Sequence, residues 1–116
     1  LLGGDIFRLS TIGGYLVGSS PEEGHALFKV MIEPMGHMKE MIPAVSGGLN
    51  PSTLGPNLEI FGTNALMLAG TGITLHPMGI KSGTAAMYQA ADAFKAGVSL
   101  QEYAKDHQEL ALMLKK

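Results

Sequence analysis

Two stretches of this chain carry residues suited to holding a phosphate: Pro43-Ala44-Val45-Ser46-Gly47-Gly48-Leu49-Asn50 and, further along, Leu66-Met67-Leu68-Ala69-Gly70-Thr71-Gly72-Ile73. In each, an apolar run stops abruptly at a hydroxyl residue and glycine, as a buried parallel strand does when it delivers the chain to a ligand at its C-terminal end. Glycine leaves the backbone N–H groups unshielded, so they can approach phosphate oxygens directly, and the hydroxyls of Ser46 and Thr71 add donors. The loops after the last two strands of (β/α)₈ barrels often hold phosphate in this way. The phosphate-binding candidates are therefore Ser46, Gly47, Gly48, Gly70, Thr71 and Gly72. The same residues also fit two glycine-rich turns of an ordinary α/β domain, where glycine only relieves crowding.

A third apolar run, Asp5-Ile6-Phe7-Arg8-Leu9, leads into Ser10-Thr11-Ile12-Gly13-Gly14. It contains the chain's single arginine, Arg8, and an unpaired charge inside an apolar strand is expensive. Three environments satisfy it: a ligand phosphate at the strand end, a buried carboxylate, or solvent. Arg8 joins the phosphate-binding candidates on the first of these. His76 follows the second glycine stretch and is the best placed histidine for acid–base work, although the adjoining Pro77 fits a structural turn equally well. The chain carries no H-E-x-x-H, no G-x-S-x-G and no paired carboxylates, and Asp5, Glu33, Glu59 and Asp92 fall on different elements. The residues offer a grip without a reactive group, so no catalytic residue is assigned and no metal ligand is expected within these residues.

Elements must place those turns side by side. Strands are expected over Asp5–Leu9, Ile42–Val45 and Asn64–Ala69, the last with both faces covered. Ser19-Ser20-Pro21-Glu22-Glu23 reads as a helix start, with an apolar stripe of Ala26, Leu27, Val30 and Met31 and a stop before Pro34. Met35 to Met41 reads as an irregular connection whose thioethers fill gaps. Asn50 and Pro51 open a short helix with Leu54, Leu58, Ile60 and Phe61 inward, which Gly55-Pro56 should break or distort. An alanine-rich helix is expected from about Ser82 to Ala96, packed on the sheet and closed by Gly97 in a left-handed conformation. Ser99-Leu100-Gln101-Glu102 is a capping box opening a last helix to Leu114, with His107 at the core edge.

This βα alternation implies an α/β fold with a parallel sheet. At 116 residues the chain is long enough for one small core. A complete barrel needs roughly 250 residues. The sequence opens on Leu1 without a start methionine, which leads to the expectation of a fragment lacking an N-terminal portion. A formal charge of −2 gives no basic footprint for nucleic acid. No run long enough to span a membrane occurs, and the absence of cysteine removes disulfides and thiolate sites while permitting a reducing cytoplasm.

The order Gly3-Gly4-Asp5, Ser10-Thr11 and Gly14, then Ile42-Pro43-Ala44-Val45-Ser46-Gly47-Gly48, Ile60-Phe61-Gly62, Ala69-Gly70-Thr71-Gly72 and His76-Pro77-Met78-Gly79 resembles the C-terminal part of the ribulose bisphosphate carboxylase (RuBisCO) large subunit. The likeness extends into the tail from Ala96 to His107. It implies that residues 1–116 are the sixth to eighth βα units of a partial (β/α)₈ TIM barrel plus a C-terminal helix. It also implies that Ser46, Gly47, Gly48, Gly70 and Gly72 bind substrate phosphate and hydroxyls. Thr71 stands where true carboxylases have glycine, and Arg8 where the family has a histidine contacting a second phosphate. Tyr15 stands where the family's mobile loop carries the lysine that stabilises the product of CO₂ addition. A phenol holds no positive charge at neutral pH, so these departures point to a RuBisCO-like protein of form IV type. Such relatives look like enolases, isomerases or lyases acting on phosphorylated sugar derivatives, some of them in methionine salvage. The resemblance implies Mg²⁺ bound by residues on an earlier strand outside this sequence, and a homodimer or higher homo-oligomer in the cytoplasm. A true carboxylase with an altered sixth loop, or a noncatalytic binding or assembly scaffold, are the alternatives. The isolated chain is expected to be inactive, with sheet edges that need a partner.

Overall fold

The computed structural model describes residues 4–14 and 20–115. The three apolar runs form parallel strands β1 (Ile6–Ser10), β2 (Ile42–Ser46) and β3 (Leu66–Leu68), in the order β1-β2-β3. The register pairs Arg8 with Ala44, Ser10 with Ser46, and Ser46 with Leu68. Side chains alternate across a strand, so Phe7, Leu9, Pro43, Val45 and Met67 share one face, and Arg8, Ser10, Ala44, Ser46, Leu66 and Leu68 the other.

Among the described residues, helices cover only the first face. Helix α1 (Pro21–Ile32) starts at Ser20, whose hydroxyl accepts from the Glu23 amide at 3.1 Å. It turns Gly24, Phe28 and Met31 inward, where Phe28 and Met31 pack with Leu9, Val45 and Phe61. The expected stripe is therefore rotated: Leu27 and Val30 are exposed. Gly24 faces Ile12, and a Cβ there would lie 2.6 Å from Ile12 Cδ1, so the bare Cα lets the helix settle on Ile12 without displacing the end of that side chain. The connection Met35–Met41 holds a tight turn bridging Met35 to Met38; both are exposed, and Met41 alone of the three packs against the core.

Helix α2 (Pro51–Phe61) runs unbroken through Gly55-Pro56. Proline forfeits one bond to the Ser52 carbonyl, both residues are exposed, and a complete capping box between Asn50 and Thr53 secures the helix start. Strand β3 is shorter than expected, and Leu66 and Leu68 are half exposed because none of the described helices covers their face. The short α3 (Thr71–Thr74) precedes α4 (Ile80–Ala96), which is closed by Gly97 at φ 66°, ψ 24°. The buried stripe of α4, Gly83, Ala86, Ala90 and Ala93, lies on a helix that packs chiefly against α2, α3 and α6, and Ala90 belongs to a cluster against which Met67 of β3 also packs.

The last helix is interrupted, forming α5 (Leu100–Tyr103), a 3₁₀ turn (Ala104–Asp106) and α6 (Gln108–Leu114). His107 has an extended backbone at the break, stacks on Tyr103 at 4.2 Å and places Nδ1 2.7 Å from the Tyr103 carbonyl. Only half of the second capping box forms: Ser99 accepts from the Glu102 amide, and the Glu102 carboxylate turns to Lys105. Among the described residues no helix is long and apolar enough to cross a membrane.

Candidate functional site

Parallel register sets the C-terminal ends of all three strands at one rim, and a cleft of about 870 Å³ opens there. Arg8, Ser46, Gly47 and Gly48 form one wall; Ala69, Gly70 and Thr71 form another. Leu54 and Leu58 from α2 and Met87 and Tyr88 from α4 make the remainder apolar. Every phosphate candidate except Gly72 thus converges on one cleft. Gly72 lines a smaller hollow of about 370 Å³ beside Asn50 and Leu75, which Gly48 and Thr71 also border.

Gly47 and Gly48 have φ of 103° and 80°, values that side chains other than glycine's rarely permit, so the turn after β2 depends on their being glycine. The Gly48 carbonyl accepts from Asn50 Nδ2 at 3.1 Å, and the Gly70 carbonyl accepts from the amides of Ile73 and Thr74. These bonds fix both turns through their carbonyls. The amides of Gly47, Gly48, Thr71 and Gly72 have no hydrogen-bond partner among the described residues. Gly72 serves packing: a Cβ there would sit 2.0 Å from the Leu49 carbonyl oxygen.

Arg8 is exposed and donates through Nε to Ser46 Oγ. Among the described residues the ion pairs are Lys95–Asp92 and Lys105–Glu102, so no carboxylate neutralises Arg8. Its two Nη groups remain for an anion, and Ser46, used as an acceptor, keeps its own proton to donate. Tyr15 lies outside the described residues. His76 is structural: the Met78 amide donates to Nδ1 at 3.0 Å, which leaves Nε2 to donate to the Glu109 carbonyl at 3.0 Å. Both ring nitrogens are occupied, and the ring is buried. No three His, Asp or Glu side chains gather among the described residues, so they do not fit a magnesium site.

The description that matches this chain is the catalytic domain of the ribulose bisphosphate carboxylase large chain, over residues 8–116. The chain belongs to that family. Ribulose bisphosphate carboxylase of Methanosarcina barkeri is 47% identical over 87 residues, covering 75% of this chain and 20% of that protein. The octameric Rubisco of Pyrococcus horikoshii, solved as a complex with sulfate ion, superposes with a TM-score of 0.85 at 32% identity, covering 96% of this chain and 26% of that one. A rubisco-like protein from Burkholderia fungorum gives a TM-score of 0.87 at 27% identity, covering 96% and 28%. This chain therefore spans less than a third of each of these relatives. Its sheet and helices are a partial (β/α) barrel of the Rubisco fold.

Within this Rubisco segment, sequence reasoning missed Asn57. It is fully buried on the inward face of α2, where it accepts from the Ile12 amide and donates to the Ile12 carbonyl, each at 2.9 Å. The one available signal was an amide at helical spacing between Leu54 and Phe61.

Proposed function

We propose that this chain is the phosphate-gripping segment, the sixth to eighth βα units, of a RuBisCO-like enzyme acting on a phosphorylated keto-sugar. The carrying observation is the convergence of Ser46-Gly47-Gly48, Gly70-Thr71 and Arg8 on one cleft while the glycine amides stay unpartnered. In this reading the amides of Gly47, Gly48 and Thr71 donate to phosphate oxygens, Ser46 adds its hydroxyl proton, and Arg8 supplies positive charge. Gly70 contributes a backbone that no side chain shades, and Gly72 seats α3 behind the site.

The reaction we propose for the parent protein is enolisation or isomerisation. Gripping the phosphate fixes the sugar so that the carbon next to its carbonyl meets a base, and positioning of this kind is worth a large part of a barrier. The base and the magnesium ion belong to residues outside this sequence, and this segment's part is to bind and orient. Tyr15 in place of a cationic side chain supports enolisation over carboxylation, because a carboxylate formed on the substrate would meet no fixed positive charge there. Homo-oligomeric assembly in the cytoplasm belongs to the same proposal.

Calorimetric titration of the complete protein with sugar phosphates tests it. Binding is expected, and Gly48→Asp is expected to abolish it, through a side chain at φ 80° and a negative charge beside the oxygens. No affinity in the unaltered protein, or undiminished affinity in the variant, would overturn the reading.

A further inference from the structure

We infer that Asn57 is a positioning residue that locks the exit of β1 to the glycine turn after β2, so that the main chain at Ile12 and an anion held at Gly47 and Gly48 act on each other. The inference rests on the phosphate reading above. Asn57 Oδ1 accepts from the Ile12 amide, and its Nδ2 donates to the carbonyls of Ile12 at 2.9 Å and Thr53 at 2.7 Å. The side chain is fully committed, and it reaches across 45 positions of sequence to do so.

From Thr53 the chain of bonds continues. Thr53 Oγ1 accepts from the Asn50 amide at 3.0 Å, and the Asn50 side chain donates to the Gly48 carbonyl at 3.1 Å. Polar links thus run unbroken from Ile12 through Asn57, Thr53 and Asn50 to Gly48. A second connection runs through the main chain: the Thr11 amide donates to the Ser46 carbonyl at 3.0 Å, and Gly14 packs so closely that a Cβ on it would lie 2.1 Å from the Gly47 carbonyl oxygen. A leucine at position 57 would fill the same buried space but leave both polar groups of Ile12 unpaired, a loss larger than a typical hydrogen bond's net contribution. The amide is there for what it holds.

The test uses the complete protein containing this chain, inorganic phosphate as the probe, calorimetry for affinity and hydrogen exchange for the amides of Ile12, Gly47 and Gly48. In the unaltered protein phosphate is expected to slow exchange at Ile12 as well as at the glycines. Asn57→Ala is expected to weaken phosphate binding at least about tenfold and to uncouple Ile12 from it. Asn57→Asp keeps the acceptor for the Ile12 amide but turns a carboxylate oxygen on the Ile12 and Thr53 carbonyls, and a weakening at least as large is expected; the neutral Asn57→Ser, which cannot satisfy both groups of Ile12, decides the matter if the alanine variant does not fold. Leu110→Ala, at a buried residue of α6 outside the cleft lining, lowers stability without removing any of these bonds, and its phosphate affinity should stay within about twofold of the unaltered protein. Asn57 variants that bind phosphate as the unaltered protein does would overturn the inference and leave the phosphate site standing. An unaltered protein that binds no phosphate would overturn both.

Discussion

An added Cβ at Gly72 would collide with the Leu49 carbonyl oxygen at 2.0 Å, whereas one at Gly70 would enter open space at an ordinary φ of −106°. Two glycines of one short motif therefore answer to different physics. Gly72→Ala is expected to destabilise the protein by about 1–3 kcal/mol, the usual consequence of overpacking a rigid contact. Gly70→Ala should leave stability within about 0.5 kcal/mol, since nothing near it must move. Urea unfolding of the two variants checks the contrast, and equal losses would show that α3 does not seat on Leu49 as described. The sequence presents Gly70 and Gly72 as equivalent because it carries neither φ nor neighbours. The end of β2 at Ser46-Gly47-Gly48 was legible, because an apolar run stops there at a hydroxyl and glycine. Asn57 escapes because its partner is distant in sequence, and an asparagine inside a helix pattern reads as a surface residue.

At the scale of elements, local chemistry was legible wherever one residue decides the outcome: Ser20 and Asn50 cap α1 and α2, and Gly97 closes α4. Outcomes set by tertiary packing were not. Pro56 leaves α2 intact because it and Ser52, whose carbonyl it orphans, are both exposed, and the last helix breaks at His107 because α6 is tied elsewhere. That tie is specific. Gln89 on α4 donates to the Glu109 carboxylate at 2.9 Å and accepts from the Leu110 amide at 3.0 Å, while His76 bonds the Glu109 carbonyl. The Gln89 bond, first, then Glu109's own amide and the nearby His107 and His76 hold this carboxyl below its ordinary value of 4.5. A depressed carboxyl stabilises the fold fully above its unfolded value, and that contribution fades as pH falls through the lowered folded value. Denaturant unfolding from neutral pH downward should therefore show a loss beginning near pH 4.5 that is shallower in Glu109→Gln, which has nothing to titrate. Identical acid limbs would mean that the α4–α6 junction does not depend on this charge.

The molecule as a whole is less compact than its length allows. Its radius of gyration is 15.2 Å and its extents are 48 × 27 × 24 Å. A close-packed domain of this length would have a radius of gyration of about 13 Å. The reason lies in the sheet. Parallel strands belong between two covered layers, yet the described helices lie on one face only, and Ile6, Leu66 and Leu68 on the other are 56%, 44% and 50% exposed. Among the described residues both β1 and β3 also present an unpaired edge, a template for adding strands. An apolar face between two open edges favours association over solution, so residues 1–116 prepared by themselves are expected to self-associate as concentration rises and to turn over no sugar phosphate. Sedimentation velocity reads the first and a coupled assay the second. Leu66→Lys places a charge on the bare face away from the cleft lining and should shift the population toward monomer. A separate polypeptide carrying the rest of a barrel should suppress self-association more strongly, because it pairs the edges as well as covering the face. A chain that stays monomeric with its apolar face bare, or that turns over substrate unaided, would show that these strands need no further sheet.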